Sequence, residues 1–167
     1  AADGTRKWVF QRVNPPLTVR NNAGGIFNRG GLFTGTPGGK LLALDHATGN
    51  VGWEASVATP KGATELERIT DITSLPILQE SQVCAVAYQG RVACFDASRG
   101  TLIWSRDISS LEGLVGDSRH VYVTDDKGDV HALDRSTGAS IWRQDKLAKR
   151  QIGGPVIVGD QLGVVDV

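Results

Sequence analysis

The stretch that decides the fold is Gly39-Lys-Leu-Leu-Ala-Leu-Asp45-His-Ala-Thr-Gly49-Asn-Val-Gly-Trp53. It returns as Gly90-Arg-Val-Ala-Cys-Phe-Asp96-Ala-Ser-Arg-Gly100-Thr-Leu-Ile-Trp104, and again as Gly128-Asp-Val-His-Ala-Leu-Asp134-Arg-Ser-Thr-Gly138-Ala-Ser-Ile-Trp142. In every copy the Gly lies four positions after the Asp, and the Trp four after the Gly. A fourth, shortened copy, Asp3-Gly4-Thr5-Arg6-Lys7-Trp8, supplies only the tail. The Gly-to-Gly steps from Gly4 are 45, 51 and 38 residues, a period that marks a repeat architecture.

Outward from the phrase, each unit resolves into four short strand patterns. The first reads Gly25 to Phe27, Leu32 to Gly35, Leu41 to Asp45 and Val51 to Val57. The second reads Pro76 to Gln79, Val83 to Tyr88, Arg91 to Asp96 and Leu102 to Asp107. The third reads Leu114 to Gly116, His120 to Asp125, Asp129 to Asp134 and Ser140 to Gln144. A last pair, Pro155 to Val158 and Leu162 to Asp166, begins a further unit. Short strands at even spacing with turn chemistry between them, four to a period, predict an all-β propeller of four-stranded antiparallel blades. The organisation expected is the last strand of a preceding blade at 1–13, blades at 23–57, 72–107 and 111–145, and the start of another at 152–167. The chain reads as a piece of a longer protein, about three and a half blades of a ring of about eight.

The phrase has a mechanical reading. Asp45, Asp96 and Asp134 end third strands, where a short carboxylate accepts N–H bonds from the following turn. Gly49, Gly100 and Gly138 supply positive φ. Trp53, Trp104 and Trp142 lie on the outermost strands, where an indole covers the seam to the next blade. These nine residues recur in every unit, whereas a catalytic set usually occurs once, so they are read as structural.

Composition narrows the function classes. Lys and Arg number 18 against 18 Asp and Glu, so net charge is zero and no basic stripe suits a nucleic acid. The Lys146 to Arg150 cluster reads as a solvated loop. No apolar run approaches the roughly 20 residues that span a bilayer as a helix. The two cysteines, Cys84 and Cys94, fall in neighbouring strands. A two-residue turn at Gln89-Gly90 would set them on opposite faces of the sheet, and a one-residue bulge would bring them opposite each other. Two buried free thiols are expected.

The pattern Ala-x-Asp-x-x-Thr-Gly-x-x-x-Trp, met at Ala43 to Trp53 and Ala132 to Trp142, resembles the tryptophan-docking repeat of the quinoprotein (PQQ-like) propellers. In the second unit Cys94 replaces the Ala and Arg99 the Thr. The non-repeating segment Gly62-Ala-Thr-Glu-Leu-Glu-Arg-Ile-Thr-Asp71-Ile, with Leu75-Pro76 and Ala87-Tyr88-Gln89-Gly90, is similar to the BamB family. These are propeller lipoproteins of the outer-membrane β-barrel assembly machinery of Gram-negative bacteria. The resemblance implies a non-enzymatic scaffold on the periplasmic side of the outer membrane, lipid-anchored in the full-length protein. It implies protein partners, namely BamA-like POTRA domains and unfolded outer-membrane proteins, and no cofactor. A fragment of a propeller is also expected to self-associate through its open strand edges.

The alternative is a PQQ-dependent quinoprotein dehydrogenase. The chain shows no vicinal cysteine pair of the kind many such enzymes hold over the cofactor. Asp125 to Asp129 reads as a hairpin turn rather than a calcium loop, since its twelfth position is Ser136. His46, His120 and His131 have no metal-ligand spacing to each other, and no nucleophile elbow or phosphate loop occurs. No catalytic, cofactor or metal residue is therefore assigned. Candidate partner contacts are Glu65, Leu66 and Arg68 in the long link Ala58 to Asp71, Phe95, Ala97, Ser98 and Arg99 on one set of turns, and Asp125 and Asp126 on another. The long link is expected to share a rim with Gln89-Gly90 and Asp125 to Lys127, either binding a partner or bracing the next blade.

Overall fold

In the computed structural model, residues 3–19, 23–28 and 30–166 are described. Residues 1, 2 and 167, which close the terminal segments outlined above, lie outside them, as do 20–22 and 29. Three four-stranded antiparallel sheets follow one another, each built in chain order from a single run of sequence. The first holds β1 (Gly25–Asn28), β2 (Gly31–Thr36), β3 (Lys40–Asp45) and β4 (Val51–Ser56). The second holds β5 (Ile77–Gln79), β6 (Gln82–Val86), β7 (Val92–Asp96) and β8 (Leu102–Arg106). The third holds β9 (Leu114–Gly116), β10 (His120–Thr124), β11 (Val130–Asp134) and β12 (Ser140–Gln144). A two-stranded sheet of β13 (Val156–Val158) and β14 (Gln161–Gly163) comes last. Residues 3–13 form no strand, because a strand exists through its ladder and these pair with none of the described residues.

The hydrophobic core lies in the seams between sheets. Side chains alternate along a strand, so the middle sheet is apolar on both faces. Val83, Ala85, Ala93 and Phe95 pack toward the first sheet with Phe33, Leu41 and Val57. Cys84, Val86, Val92 and Cys94 pack toward the third sheet with Val121, Val123 and Leu133. Strands buried on both faces read as continuous apolar runs, and β6 and β7 do.

The two cysteines correct the expectation of free thiols. The β6–β7 turn has three residues, Tyr88, Gln89 and Gly90, closed by Ala87 N–H donating to the Arg91 carbonyl at 3.1 Å. That shifts the ladder by one from a two-residue turn. Cys84 and Cys94 become direct cross-strand partners with Cα atoms 4.0 Å apart, and their sulfurs are joined in a buried disulfide.

Each sheet carries the same irregularity. Between third and fourth strands the register shifts at Ala43/Leu44, Cys94/Phe95 and Ala132/Leu133. One extra residue, Gly52, Ile103 or Ile141, bulges out of the fourth strand in the process. The bulge sets Trp53 opposite Ala43, Trp104 opposite Cys94 and Trp142 opposite Ala132. The small residue that opens the repeated pattern is thus the ladder partner of the indole.

Candidate interaction surface

The antiparallel order puts two kinds of connection at opposite ends of the sheets. The Asp-x-x-x-Gly turns between third and fourth strands lie at one end. The turns between second and third strands, and the links from one sheet to the next, lie at the other.

At the first end the turns are tightly bonded. Asp134 Oδ1 accepts from Ser136 N–H at 3.0 Å and Thr137 N–H at 2.9 Å, and from both hydroxyls. These bonds, led by the Ser136 hydroxyl, hold the Asp134 carboxyl down at about 2. Asp45 is lowered first by the Thr48 N–H and Asp96 first by the Ser98 hydroxyl. Gly49, Gly100 and Gly138 have φ of 74°, 68° and 70°. An indole from the preceding segment lies on each of them. Trp8 Nε1 donates to the His46 carbonyl at 2.8 Å, Trp53 Nε1 to Ala97 at 2.9 Å and Trp104 Nε1 to Arg135 at 2.6 Å. Trp142 is 42% exposed, and no described residue receives its Nε1.

This geometry divides the candidate contacts. Phe95 is corrected: it is only 2% exposed, lies in the core against the first sheet, and offers nothing to a partner. Its ladder register turns it inward with Val83. Ala97 spends its carbonyl on Trp53. Ser98 and Arg99 are exposed.

Glu65, Leu66, Arg68, Asp125 and Asp126 gather at the other end. Residues 64–68 make one helical turn closed by a capping box. Thr64 Oγ1 accepts from Glu67 N–H at 3.3 Å, while Glu67 Oε2 accepts from Ala63 and Thr64 N–H at 2.7 and 3.2 Å. The Thr64 N–H bond comes first among those that hold the Glu67 carboxyl below its usual range. Gly62, at φ 137°, allows the tight approach, since a Cβ there would stand 2.3 Å from Glu67 Cβ. Arg68 Nε donates to the Gly62 carbonyl at 3.0 Å and pairs with Glu65 at 3.8 Å. With its neighbours so held, Leu66 projects 68% exposed.

Bonds to the next hairpins fix the loop to the rim. Tyr88 N–H donates to the Asp71 carbonyl at 2.8 Å, and Gln89 N–H to Ser109 Oγ at 2.8 Å. Asp126 receives the Ser109 hydroxyl and, at 2.9 Å, the Leu111 N–H. Asp125 is half-buried. Burial opposes its ionisation, but bonds from His131 and from the Asp129 and Lys127 N–H groups outweigh it and lower its carboxyl. Sequence reading missed Asp71, a buried carboxylate that accepts from Val19 N–H at 2.6 Å and Gly38 N–H at 2.9 Å. Its only signal was its place at the end of the long link.

Comparison with known proteins places this architecture. The family model described as outer membrane protein assembly factor BamB matches residues 1–144. The chain belongs to the BamB family. Among curated BamB proteins it is 55% identical to that of Nitrosomonas eutropha over 167 residues, covering 99% of this chain and 41% of the relative. It is 44% identical to that of Bordetella pertussis, covering 43% of it. The chain therefore spans well under half the length of these BamB relatives. The crystal structure of BamB from Moraxella catarrhalis superposes with a TM-score of 0.89 at 28% identity, over 98% of this chain and 50% of that one. A europium-containing methanol dehydrogenase superposes at 0.65 with 17% identity, a likeness of fold alone. The sheets are blades of a β-propeller of the BamB and quinoprotein type, and the described part is a partial ring.

Proposed function

We propose that this chain forms part of a non-enzymatic scaffold of the outer-membrane β-barrel assembly machinery. It would work on the periplasmic side of the outer membrane, lipid-anchored in the full-length protein, and engage a POTRA domain through the rim that carries residues 62–69. The observation that carries the proposal is the rigid presentation of Leu66. A one-turn loop closed by its own capping box holds an exposed leucine between Glu65 and Arg68 at the rim of a BamB-family propeller. Preorganised apolar anchors ringed by charge are what a partner surface uses. The disulfide supports the compartment, since such bonds persist in the periplasm and are rare in the cytosol.

The test is titration of the full-length protein with the isolated POTRA domains. Leu66→Glu combined with Arg68→Glu should weaken binding by at least about tenfold while leaving the melting temperature unchanged. Wild-type affinity in the double variant would remove this rim from the interface. No binding by the wild type would remove the scaffold reading itself.

A further inference from the structure

The residue after the turn glycine that opens each third strand is charged: Lys40, Arg91 and Asp129. The first two are cations with partners. Lys40 Nζ donates to Ser56 Oγ at 2.6 Å and lies 3.7 Å from Glu54. Arg91 reaches across the seam, donating from Nε to the Val57 carbonyl at 2.6 Å and from Nη2 to the Ser56 carbonyl at 3.4 Å. A positive group thus plugs the seam between the first and second blades.

In the third blade the sign is reversed. Asp129 is 1% exposed. Arg143 donates to its Oδ2, with Nε at 3.0 Å, but Oδ1 is buried and accepts a hydrogen bond from none of the described residues. A buried carboxylate oxygen without a partner is costly and calls for a ligand. Counting from the tryptophans, Asp107 and Ile108 occupy the places of Ser56 and Val57. Those two residues line a cleft of about 390 Å³ with Asp125, His131 and Arg143, where the neighbouring seam holds the Arg91 side chain. One carboxylate oxygen from each of Asp125 and Asp129 and a ring nitrogen of His131 lie within 4.8 Å of one another. The seam between the second and third blades has space for an ion, and Asp107, Asp125, Asp126 and the buried Asp129 outnumber the two cations beside the cleft, Lys127 and Arg143.

We propose that Asp125, Asp129 and His131 bind a divalent metal ion of the zinc type in this seam, standing in for the guanidinium of Arg91. Two carboxylates with one imidazole suit a borderline ion better than calcium, which takes six to eight oxygens. Asp125 is already oriented, because its Oδ1 accepts from Lys127 and Asp129 N–H at 2.9 Å each. Its Oδ2 and His131 Nε2 already face each other at 2.9 Å, and metal binding would replace that hydrogen bond, releasing its proton to solvent. Arg143 keeps Asp129 Oδ2, and the metal takes the remaining lone pairs of that carboxylate. Three protein ligands leave a coordination position to water.

The test is titration of the full chain with Co²⁺, followed by its d–d absorption, and with Zn²⁺ by calorimetry. One ion per chain should bind, and His131→Gln should weaken it by at least about tenfold. Arg143→Gln, altered at a side chain more than half exposed, should fold normally and bind more tightly, because a positive charge beside the metal is gone. The proposal fails if the wild type takes up neither ion at roughly millimolar metal. It fails equally if His131→Gln binds as the wild type does, or if Arg143→Gln leaves the affinity unchanged.

Discussion

The Trp53 ring lies on the backbone of Gly100, one blade further along the chain. A Cβ at Gly100 would stand 2.6 Å from the ring, and the indole nitrogen donates to the Ala97 carbonyl of the same turn at 2.9 Å. Trp8 meets Gly49 and Trp104 meets Gly138 in the same way, at 2.6 and 2.5 Å. The repeated Asp, Gly and Trp therefore do not close one unit upon itself. Trp8, Trp53 and Trp104 each belong to the Asp and Gly of the following unit, and the phrase is a coupling between neighbours.

The coupling sets an order of costs. Trp104, 7% exposed and bonded to Arg135, should lose about 3–5 kcal/mol on change to Ala. Trp142 has no such partner among the described residues, so Trp142→Ala should cost under about 1 kcal/mol. Gly100→Ala meets both positive φ and the Trp53 ring and should cost at least about 2 kcal/mol. Urea unfolding measures all three. Equal losses at Trp104 and Trp142 would refute the coupling.

The buried Cys84–Cys94 bond closes a short loop between inner strands. Replacing both residues with Ala should lower stability by about 2–3 kcal/mol relative to the oxidised protein. Alkylation in denaturant without reductant should label neither sulfur. Two labelled thiols per chain would contradict the disulfide.

Acid should loosen the turns. Asp134 has a folded value of about 2, below the roughly 3.9 of an unfolded Asp, and Asp45 and Asp96 are shifted the same way. Asp117 also sits at about 2. Burial opposes its ionisation, but N–H bonds from Arg119 and His120 and the Tyr122 hydroxyl prevail. A depressed value adds stability that is complete above about pH 4 and is lost as pH falls toward about 2. Melting temperature should drop across that window, and drop less steeply in Asp134→Asn. A flat profile would show that these carboxylates are not protected by their turns.

The 167-residue chain alone should self-associate. Trp142 and Ile141 on β12, and Val156 and Val158 on β13, are all more than two-fifths exposed. A blade face left uncovered recruits another chain. Light scattering across a concentration series should show mass rising with concentration, and a constant monomer mass would exclude it.

Periodicity made the propeller legible. The spacing of Asp, Gly and Trp is local chemistry, written in each copy, and alternation marks each strand without reference to its neighbours. The loop at 62–69 was legible only as a long charged link, and the capping box of Thr64 and Glu67 that shapes it emerged from the structure. Only the tertiary structure decided what depends on register and on relations between blades. One extra residue in the β6–β7 turn moved Cys84 opposite Cys94, which composition could not anticipate because a single step reverses every side chain. The same register turned Phe95 from the rim into the core. Asp129, which looks like an ordinary hairpin residue, was set in a seam whose neighbour holds an arginine. Sequence determined the blades because their bonds are short-range, whereas tertiary structure decided what hangs on register within a blade, as at Cys84 and Cys94, and on bonds between repeats, as from Trp53 to Ala97.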